Sequence, residues 1–193
     1  MAKRDSKWKR NVISIFIVLL MVFSVLGIML SRDEGEQTKK YNGHKFVARE
    51  NKWLLSIDKK WIDFDYFPTA VEDIEVNDEI KDRILSTEML HITFDPDNVT
   101  ESMDKMRFDL TNLLANLHDI YAASSVIKNS TEYNLPIMTC ENATVFVPII
   151  ELKLGDETAI GMEDNCIIIR AESAEDMIRL RDAMIYNILG VME

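Results

Sequence analysis

The chain is poor in the residues that interrupt folded structure. Its 193 residues include six glycines and four prolines, with no glycine or proline repeat, which excludes collagen-like, linker and low-complexity proteins. Basic residues are also in the minority, because 22 Lys and Arg face 33 Asp and Glu, for a net charge of -11. Proteins that neutralise phosphates have the opposite balance, so we expect no nucleic-acid partner.

Motifs of common enzymes are missing as well. The chain contains no GxSxG, GxGxxG or GxxxxGK[ST] sequence, so serine hydrolase, dinucleotide and nucleoside triphosphate chemistry have no support. The histidines His44, His91 and His118 form no HxxxH or HExxH pair. The turn at 95–98 lacks the glycine and the distal glutamate of a calcium loop. We therefore predict no metal site and no cofactor.

One long hydrophobic run is present. Residues 12–30 carry no charge, and Ser14 and Ser24 are their only polar members. As a helix this run is roughly 28 Å long, close to the thickness of the hydrocarbon core of a bilayer. A helix in the core of a soluble domain has a polar face, and this run has none at any helical spacing. The pattern predicts a transmembrane helix that contacts the lipid bilayer through residues 12–30.

The charges beside the run predict its orientation. Residues 1–11 contain five basic residues and one acidic residue, which predicts a cytoplasmic N-terminus and an extracytoplasmic C-terminal domain. The run is longer than the apolar core of a secretory signal and ends in bulky residues, so we favour an uncleaved single-pass anchor over a cleaved signal peptide. Residues 31–193 hold 32 acidic and 17 basic residues. Of these, 31–43 are predicted to form a polar tether and 44–193 an acidic domain at the cell membrane.

Strand and helix patterns alternate in the domain. Strand patterns occur in a predicted hairpin over 44–68 and at 88–94, 135–139, 145–154, 159–162 and 166–170. Helix patterns occur at 70–73, 77–85, 103–121 and 173–189. Pro148 predicts an edge strand or a junction for the segment that contains it. This order predicts one α+β domain, with a mixed or antiparallel sheet and helices packed on one of its faces.

Cys140 and Cys166 are the only cysteines. Outside the cytoplasm, two cysteines most simply form one disulfide, here closing a loop of about 25 residues. Two other interpretations stay open: two buried inert thiols, or a reactive Cys140 whose thiol pKa is lowered by amides at the start of a short helix. No CxxC motif accompanies Cys140, and no histidine is near it in sequence.

Three N-glycosylation sequons begin at Asn98, Asn129 and Asn142. They have meaning only where a glycosylation system acts on the outer face of the membrane. Asn98 and Asn129 lie in predicted surface turns and are the better candidates. Asn142 is two residues from a cysteine that we expect to be buried, so it is the weaker candidate.

The general layout of the chain resembles that of small uncharacterised membrane-anchored proteins of archaea. The similarity rests on the basic start, the single span, the acidic exported domain and two segments, LPIMTCENAT at 135–144 and DAMIYNILGV at 182–191. It is specific over the last third of the chain. The resemblance implies a membrane location and brings no activity with it.

These features predict a non-enzymatic, membrane-tethered module that binds other envelope or membrane proteins or helps to assemble a complex. The alternative is a thiol-dependent enzyme or redox protein that uses Cys140, with Cys166 as its resolving partner. A third hypothesis is a protein that binds cations or polycationic ligands through its acidic surface.

Overall fold

The computed structural model describes residues 3–31 and 37–192. Residues 1–2 and 193, and residues 32–36 of the predicted tether, lie outside the described residues. The chain divides into two compact units, 1–38 and 39–193. In the first unit, Lys3–Ser31 forms helix α1, and the side chains at 11–26 are exposed. Within the described ranges, none of the helices combines the length and the apolar character that a membrane crossing requires.

The second unit is built from strands and helices in mixed order. Strands β1 to β9 span Thr38–Tyr41, His44–Arg49, Lys52–Ile57, Lys60–Phe64, Met89–Phe94, Tyr121–Val126, Ile149–Leu154, Ala159–Glu163 and Cys166–Ala171. Helices α2, α3 and α4 span Asp78–Leu85, Glu101–Leu117 and Ala174–Ile188. Short 3₁₀ turns occur at Pro68–Ala70 and Cys140–Asn142. The predicted α+β class is confirmed.

The first four strands form a meander sheet in the order β1-β2-β3-β4. Two-residue turns at 42–43, 50–51 and 58–59 join them, and every residue in these turns has positive φ, as tight hairpin turns require. The predicted hairpin over 44–68 is therefore three strands, because the turn at 50–51 divides its first half. Strand β1 lies inside the segment 31–43 that is predicted to be a polar tether, so residues 38–41 of that segment form a strand.

The remaining strands form a mixed sheet in the order β6-β5-β7-β9-β8. Strands β5, β6, β7 and β9 are parallel, and β8 pairs antiparallel with β9. Strand β7 is central, so the edge-strand interpretation of its proline is wrong. Pro148 precedes the first residue of β7, where its missing N–H costs no ladder bond. Its carbonyl accepts a hydrogen bond from the His91 N–H at 3.1 Å.

Helix α4 is buried on almost every side. On one side Tyr186 stacks on Phe64 of the meander sheet, with ring centroids 4.1 Å apart. On other sides α4 contacts α3 and β9, and its residues Met177, Leu180 and Met184 are fully buried. The unit therefore has two sheets with α4 between them. The expectation of one sheet was wrong, because the pattern of each strand says which face is apolar but not which layer covers it.

Some segments differ from their predicted structure. In place of the helix predicted at 70–73, a 3₁₀ turn spans Pro68–Ala70. Helix α3 ends at Leu117 rather than near residue 121. Asp119 adopts a φ of 57°, which ends the helix, and strand β6 follows. The segment 135–139 is not a strand, although it forms one isolated bridge, between Val126 and Ile137.

Candidate functional site

The two cysteines form a disulfide bond, and their Cα atoms are 5.2 Å apart. Cys166 is the first residue of β9, and Cys140 begins the 3₁₀ turn at 140–142. Cys166 is buried with Ile149 and Ile168 in a small apolar cluster that is separate from the main core. Because side chains alternate along β9, this cluster lies on the face of the mixed sheet opposite the main core. The disulfide therefore fastens the connection between β6 and β7 to the sheet.

A carboxylate lies beside this disulfide. The Sγ of Cys140 is 3.0 Å from Oε2 of Glu151, and Nζ of Lys153 is 3.4 Å from Oε1 of the same carboxylate. A bonded sulfur carries no proton, so the first contact is not a hydrogen bond in the oxidised protein. In a reduced protein, the negative Glu151 disfavours a thiolate on Cys140. This is the opposite of the environment that activates a cysteine nucleophile.

In the described part of the chain, one group of three residues has the spacing of metal ligands: Cys140, Glu151 and Cys166, whose ligand atoms lie within 4.8 Å of one another. The bond between the two sulfurs removes both thiolate ligands. Burial lowers the pKa of His91 and of His118, so both are neutral at pH 7.

The three sequon asparagines are all exposed. Nδ2 of Asn98 donates to Oδ2 of Asp95 at 2.9 Å. Oδ1 of Asn142 accepts from the Thr139 N–H at 2.9 Å, which closes the turn that begins at Cys140. Glycosylation at Asn98, Asn129 and Asn142 stays a prediction.

A buried ion-pair network joins α4 to α3 and β4, and sequence reasoning missed it. The guanidinium of Arg181 is 1% exposed. Its Nε and Nη2 donate to Oδ2 of Asp109 at 2.8 and 2.6 Å, and its Nη1 donates to Asp182. Oxygens of Asp65 and Asp63 lie 3.4 and 3.8 Å away. Burial lowers the pKa of Arg181, but the charges of Asp182 and Asp109 outweigh burial and raise the pKa overall, so Arg181 stays cationic.

Asp182 has a second task in this network. Its Oδ2 accepts hydrogen bonds from the backbone N–H groups of Asp65 and Tyr66, at 2.9 and 2.7 Å. Burial raises the pKa of Asp182 to about 6, although Arg181 and the Tyr66 N–H act in the opposite direction. Asp182 is therefore ionised at pH 7, and it fixes the chain immediately after β4 against α4.

A cleft of about 220 Å³ opens beside this network, between β4, α3 and α4. We call it the β4–α3 cleft. Two large aromatic side chains line it and are mostly exposed, Trp61 at 63% and Phe108 at 68%. Polar groups between them come from α3, with Asn112 and Asn116, and from β4, with Asp63 among others. The cleft therefore combines aromatic surface with hydrogen-bonding groups. Arg181, which the ion-pair network holds in place, is also among its lining residues.

The cleft also follows an open strand edge. Strand β4 ends the order of the meander sheet and pairs with β3 on one side. Within the described residues, no other strand pairs with its outer side. Lys60, at the start of β4, donates from Nζ to the carbonyl of Asn116 and ties the strand to α3. The geometry offers main-chain groups, aromatic rings and amides on one surface.

The sequence contained signals for this cleft. Phe108 occurs at the same helical spacing as Asp104, Asn112 and Asn116, on the polar face of the predicted helix. Trp61 shares its strand face with Asp63, again among polar residues. A large aromatic residue within a polar face predicts an exposed aromatic ring, which is a feature of binding surfaces.

Comparison with protein-family models, with curated proteins and with solved structures gives no match for this chain. Its function must be inferred from the geometry of its own residues.

Proposed function

We propose that this protein is a membrane-tethered, extracytoplasmic binding or assembly module that is not an enzyme. Residues 12–30 serve as the single-pass anchor in this proposal. The support is the uncharged run itself, its helical backbone within α1 and the exposure of the apolar side chains described there. Such side chains are stable in lipid, whereas in water they form an unfavourable surface.

The orientation in this proposal follows from the charge flanks. The basic residues at 1–11 remain on the cytoplasmic side, and the acidic domain is outside. The location also agrees with the disulfide, since such bonds persist in oxidising compartments. The resemblance to membrane-anchored archaeal proteins points to the same location.

The membrane part of the proposal has a direct test. The full chain is expressed with a tag at each end, and membranes are washed with alkaline carbonate and treated with protease. We expect the protein to stay in the membrane fraction, with its C-terminal tag accessible from outside and its N-terminal tag protected. The double variant Ile17→Arg/Leu20→Arg is expected to lose the membrane fraction, and an unchanged distribution of this variant would contradict the anchor.

The β4–α3 cleft is the binding surface that we propose, and the exposure of Trp61 and Phe108 beside it is the observation that carries the proposal. Exposed aromatic residues concentrate at protein interfaces and supply much of their binding energy. The open edge of β4 offers main-chain hydrogen bonds to an extended segment of a partner. Partners in this proposal are other envelope or membrane proteins.

Site-specific crosslinking tests this surface. A photoreactive amino acid is placed at Asn112, in the cleft, and as a matched control at Phe146, which is 84% exposed and lies outside the cleft. In native membranes we expect a discrete adduct from position 112 that disappears when Trp61→Ala is added. Equal adducts from both positions, or an adduct insensitive to Trp61→Ala, would contradict this role of the cleft.

The alternative is a thiol-dependent enzyme or redox protein that uses Cys140 with Cys166. It requires the disulfide to open and Cys140 to become a thiolate, and the nearby Glu151 works against that step. We therefore propose a structural role for the pair. Alkylation of the full chain under denaturing conditions, with and without reductant, is expected to find both sulfurs protected until reductant is added. Free sulfurs, with Cys140 alkylating fast below pH 7 in the native protein, would favour the enzyme.

A further inference from the structure

The carboxylate of Glu151 has a position that the disulfide does not explain. Its Oε2 is 3.0 Å from Sγ of Cys140, and the side chain is only 16% exposed. Among the described residues, no N–H or O–H group donates a hydrogen bond to this oxygen. A bonded sulfur has no proton to donate either. A carboxylate oxygen in such surroundings is normally stabilised by a donor or by a cation.

The two sulfurs beside this oxygen make it one of three metal-ligating atoms. Those of Cys140, Cys166 and Glu151 lie within 4.8 Å of one another. Cys166 is 1% exposed and packs with Ile149 and Ile168, so solvent access is limited on one side. The Cα atoms of the two cysteines are 5.2 Å apart. In a reduced protein, rotation of the side chains therefore lets both sulfurs bind one ion, with each metal–sulfur bond about 2.3 Å long.

The backbone around Cys140 is held by bonds other than the disulfide. The Met138 N–H donates to the carbonyl of Val126 at 2.9 Å, and the Met138 carbonyl accepts from Oγ1 of Thr93 at 2.8 Å. These two bonds tie the segment to β6 and β5. The Ala143 N–H donates to the carbonyl of Cys140 at 3.1 Å and closes the 3₁₀ turn. We therefore expect Cys140 to keep its place on the sheet when the disulfide opens.

The charges and the ligand atoms favour zinc. Two thiolates and the Glu151 carboxylate have three negative charges, and one divalent ion leaves a single charge to be balanced. Lys153 balances it, because its Nζ is 3.4 Å from Oε1 of Glu151. Thiolates select zinc over magnesium and calcium, and a tetrahedral zinc ion with three protein ligands keeps its fourth position for water. Without a metal, Glu151 disfavours a thiolate, whereas beside zinc its negative charge is favourable.

We propose that the reduced protein binds one Zn²⁺ ion through Cys140, Cys166 and Glu151. A dithiol reductant gives two electrons and two protons to the sulfur–sulfur bond and is itself oxidised to a disulfide. Zn²⁺ then displaces both thiol protons, so two zinc–sulfur bonds replace the sulfur–sulfur bond. The ion fastens the connection between β6 and β7 in place of the disulfide. This site is separate from the proposed membrane-tethered binding function and does not depend on the β4–α3 cleft.

The test uses the full chain without a histidine tag, in uncharged detergent micelles. The chain is reduced with tris(2-carboxyethyl)phosphine, freed of reductant under argon and titrated with Co²⁺, a coloured substitute for Zn²⁺. We expect one ion per chain, with sulfur-to-cobalt charge-transfer absorption and the intense visible bands of a tetrahedral site. Zn²⁺ is expected to remove both signals. A folded, reduced chain without these signals, or equal signals from the oxidised chain, would overturn the site.

Single variants assign the ligands. Glu151→Gln is expected to weaken Zn²⁺ binding by roughly tenfold or more, measured in competition with a chromophoric chelator. Glu132→Gln is the matched control, because it removes an exposed carboxylate that is not among the three ligands, and its affinity should equal that of the parent chain. Cys140→Ser is expected to lose the charge-transfer absorption. Parental affinity in Glu151→Gln, or equal weakening in Glu132→Gln, would overturn the site.

Reduction can also unfold the chain, so circular dichroism of the reduced chain is recorded with and without Zn²⁺. We expect Zn²⁺ to raise the thermal midpoint of the reduced chain and to leave that of the oxidised chain unchanged. A reduced chain that unfolds, and that Zn²⁺ does not refold, would overturn the site as well. The crosslinking from position 112 is done on the oxidised protein, so the zinc site and the proposed binding function fail separately.

Discussion

The guanidinium of Arg181 lies 2.6 Å from the carboxylate of Asp109, and this pair connects α4 to α3 in a place that water reaches poorly. The side chains are 1% and 17% exposed. An unpaired charge in such surroundings destabilises the folded state, because it loses its hydration on folding and gains no partner. The attraction between the two charges therefore contributes less to stability than the loss that follows when one partner is removed and the other charge stays buried and unpaired.

Removal of one partner should destabilise the protein strongly. We expect Asp109→Asn to lower the free energy of unfolding by about 2–4 kcal/mol, because Arg181 keeps its charge and loses a principal partner. The measurement is urea unfolding of the full chain, followed by tryptophan fluorescence. Asp104→Asn is the control, because the Asp104 side chain pairs with Arg107 and is itself 51% exposed. This variant is expected to change the free energy of unfolding by less than about 1 kcal/mol. Similar losses in the two variants would contradict the buried character of the network.

The carboxyl group of Asp182 should titrate near pH 6. Its pKa in the folded protein is about 6, against about 3.9 in an unfolded chain. Between these two pH values the folded protein binds more protons than the unfolded chain does. The stability that Asp182 contributes therefore grows as the pH falls from 6 towards 4, and it is lost as the pH rises through 6. Carbon NMR of the Asp182 carboxyl is expected to give a midpoint near 6.

Unfolding measurements check the same linkage. Asp182→Asn should lack this pH-dependent gain, so the difference in stability between parent and variant is larger at pH 4.5 than at pH 7. A carboxyl midpoint near 4 would instead mean that the donors on Asp182 outweigh its burial.

Glu151 should slow reduction of the disulfide. Its carboxylate repels an attacking thiolate and disfavours Cys140 as the leaving thiolate. We expect Glu151→Gln to speed reduction by dithiothreitol by roughly threefold, because the attacking and the leaving thiolate then lie beside one negative charge fewer. Lys153→Gln removes the cation beside Glu151 and should slow reduction. A change in the same direction for both variants would mean that local packing, not charge, controls the rate.

One turn of the meander sheet can be improved. Lys59 has a φ of 65°, a left-handed conformation that costs a lysine roughly 1 kcal/mol relative to glycine. Lys59→Gly should raise the free energy of unfolding by about 0.5–1 kcal/mol. Lys60→Gly, one residue later in β4, should lower it, because glycine weakens a strand. Thermal and urea unfolding of the two variants check these opposite signs.

Much of the fold could be predicted because local rules decide it. Helix α4 begins where Ser173 caps it, with its side chain accepting from the Asp176 N–H. Strand β9 is apolar on both faces, and it is covered on both. The α2 helix begins next to its cap Asn77, where the predicted helix pattern of 77–85 starts. In each case the signal lies within a few residues of the element that it specifies.

The missed features depend on residues far apart in the chain. Strand β6 contains two alanines and two serines in six residues, so its strand propensity is weak. It forms because β5 provides a parallel partner for every one of its residues. The burial of Arg181 likewise depends on Asp109 from α3 and Asp65 from beyond β4. The periodicity of a single segment does not predict a contact between residues of different segments. Secondary-structure propensity describes single segments, whereas strand β6 and the buried Arg181 depend on contacts between segments.

The position of α4 between the two sheets also has a consequence for how the chain reaches its final structure. This helix follows both sheets in sequence, and it covers the apolar residues of each. During synthesis, the face of each sheet that α4 later covers therefore stays exposed until α4 has been synthesised. A chain halted before residue 174 would present two uncovered apolar surfaces at once, which makes it a strong candidate for chaperone binding and for degradation.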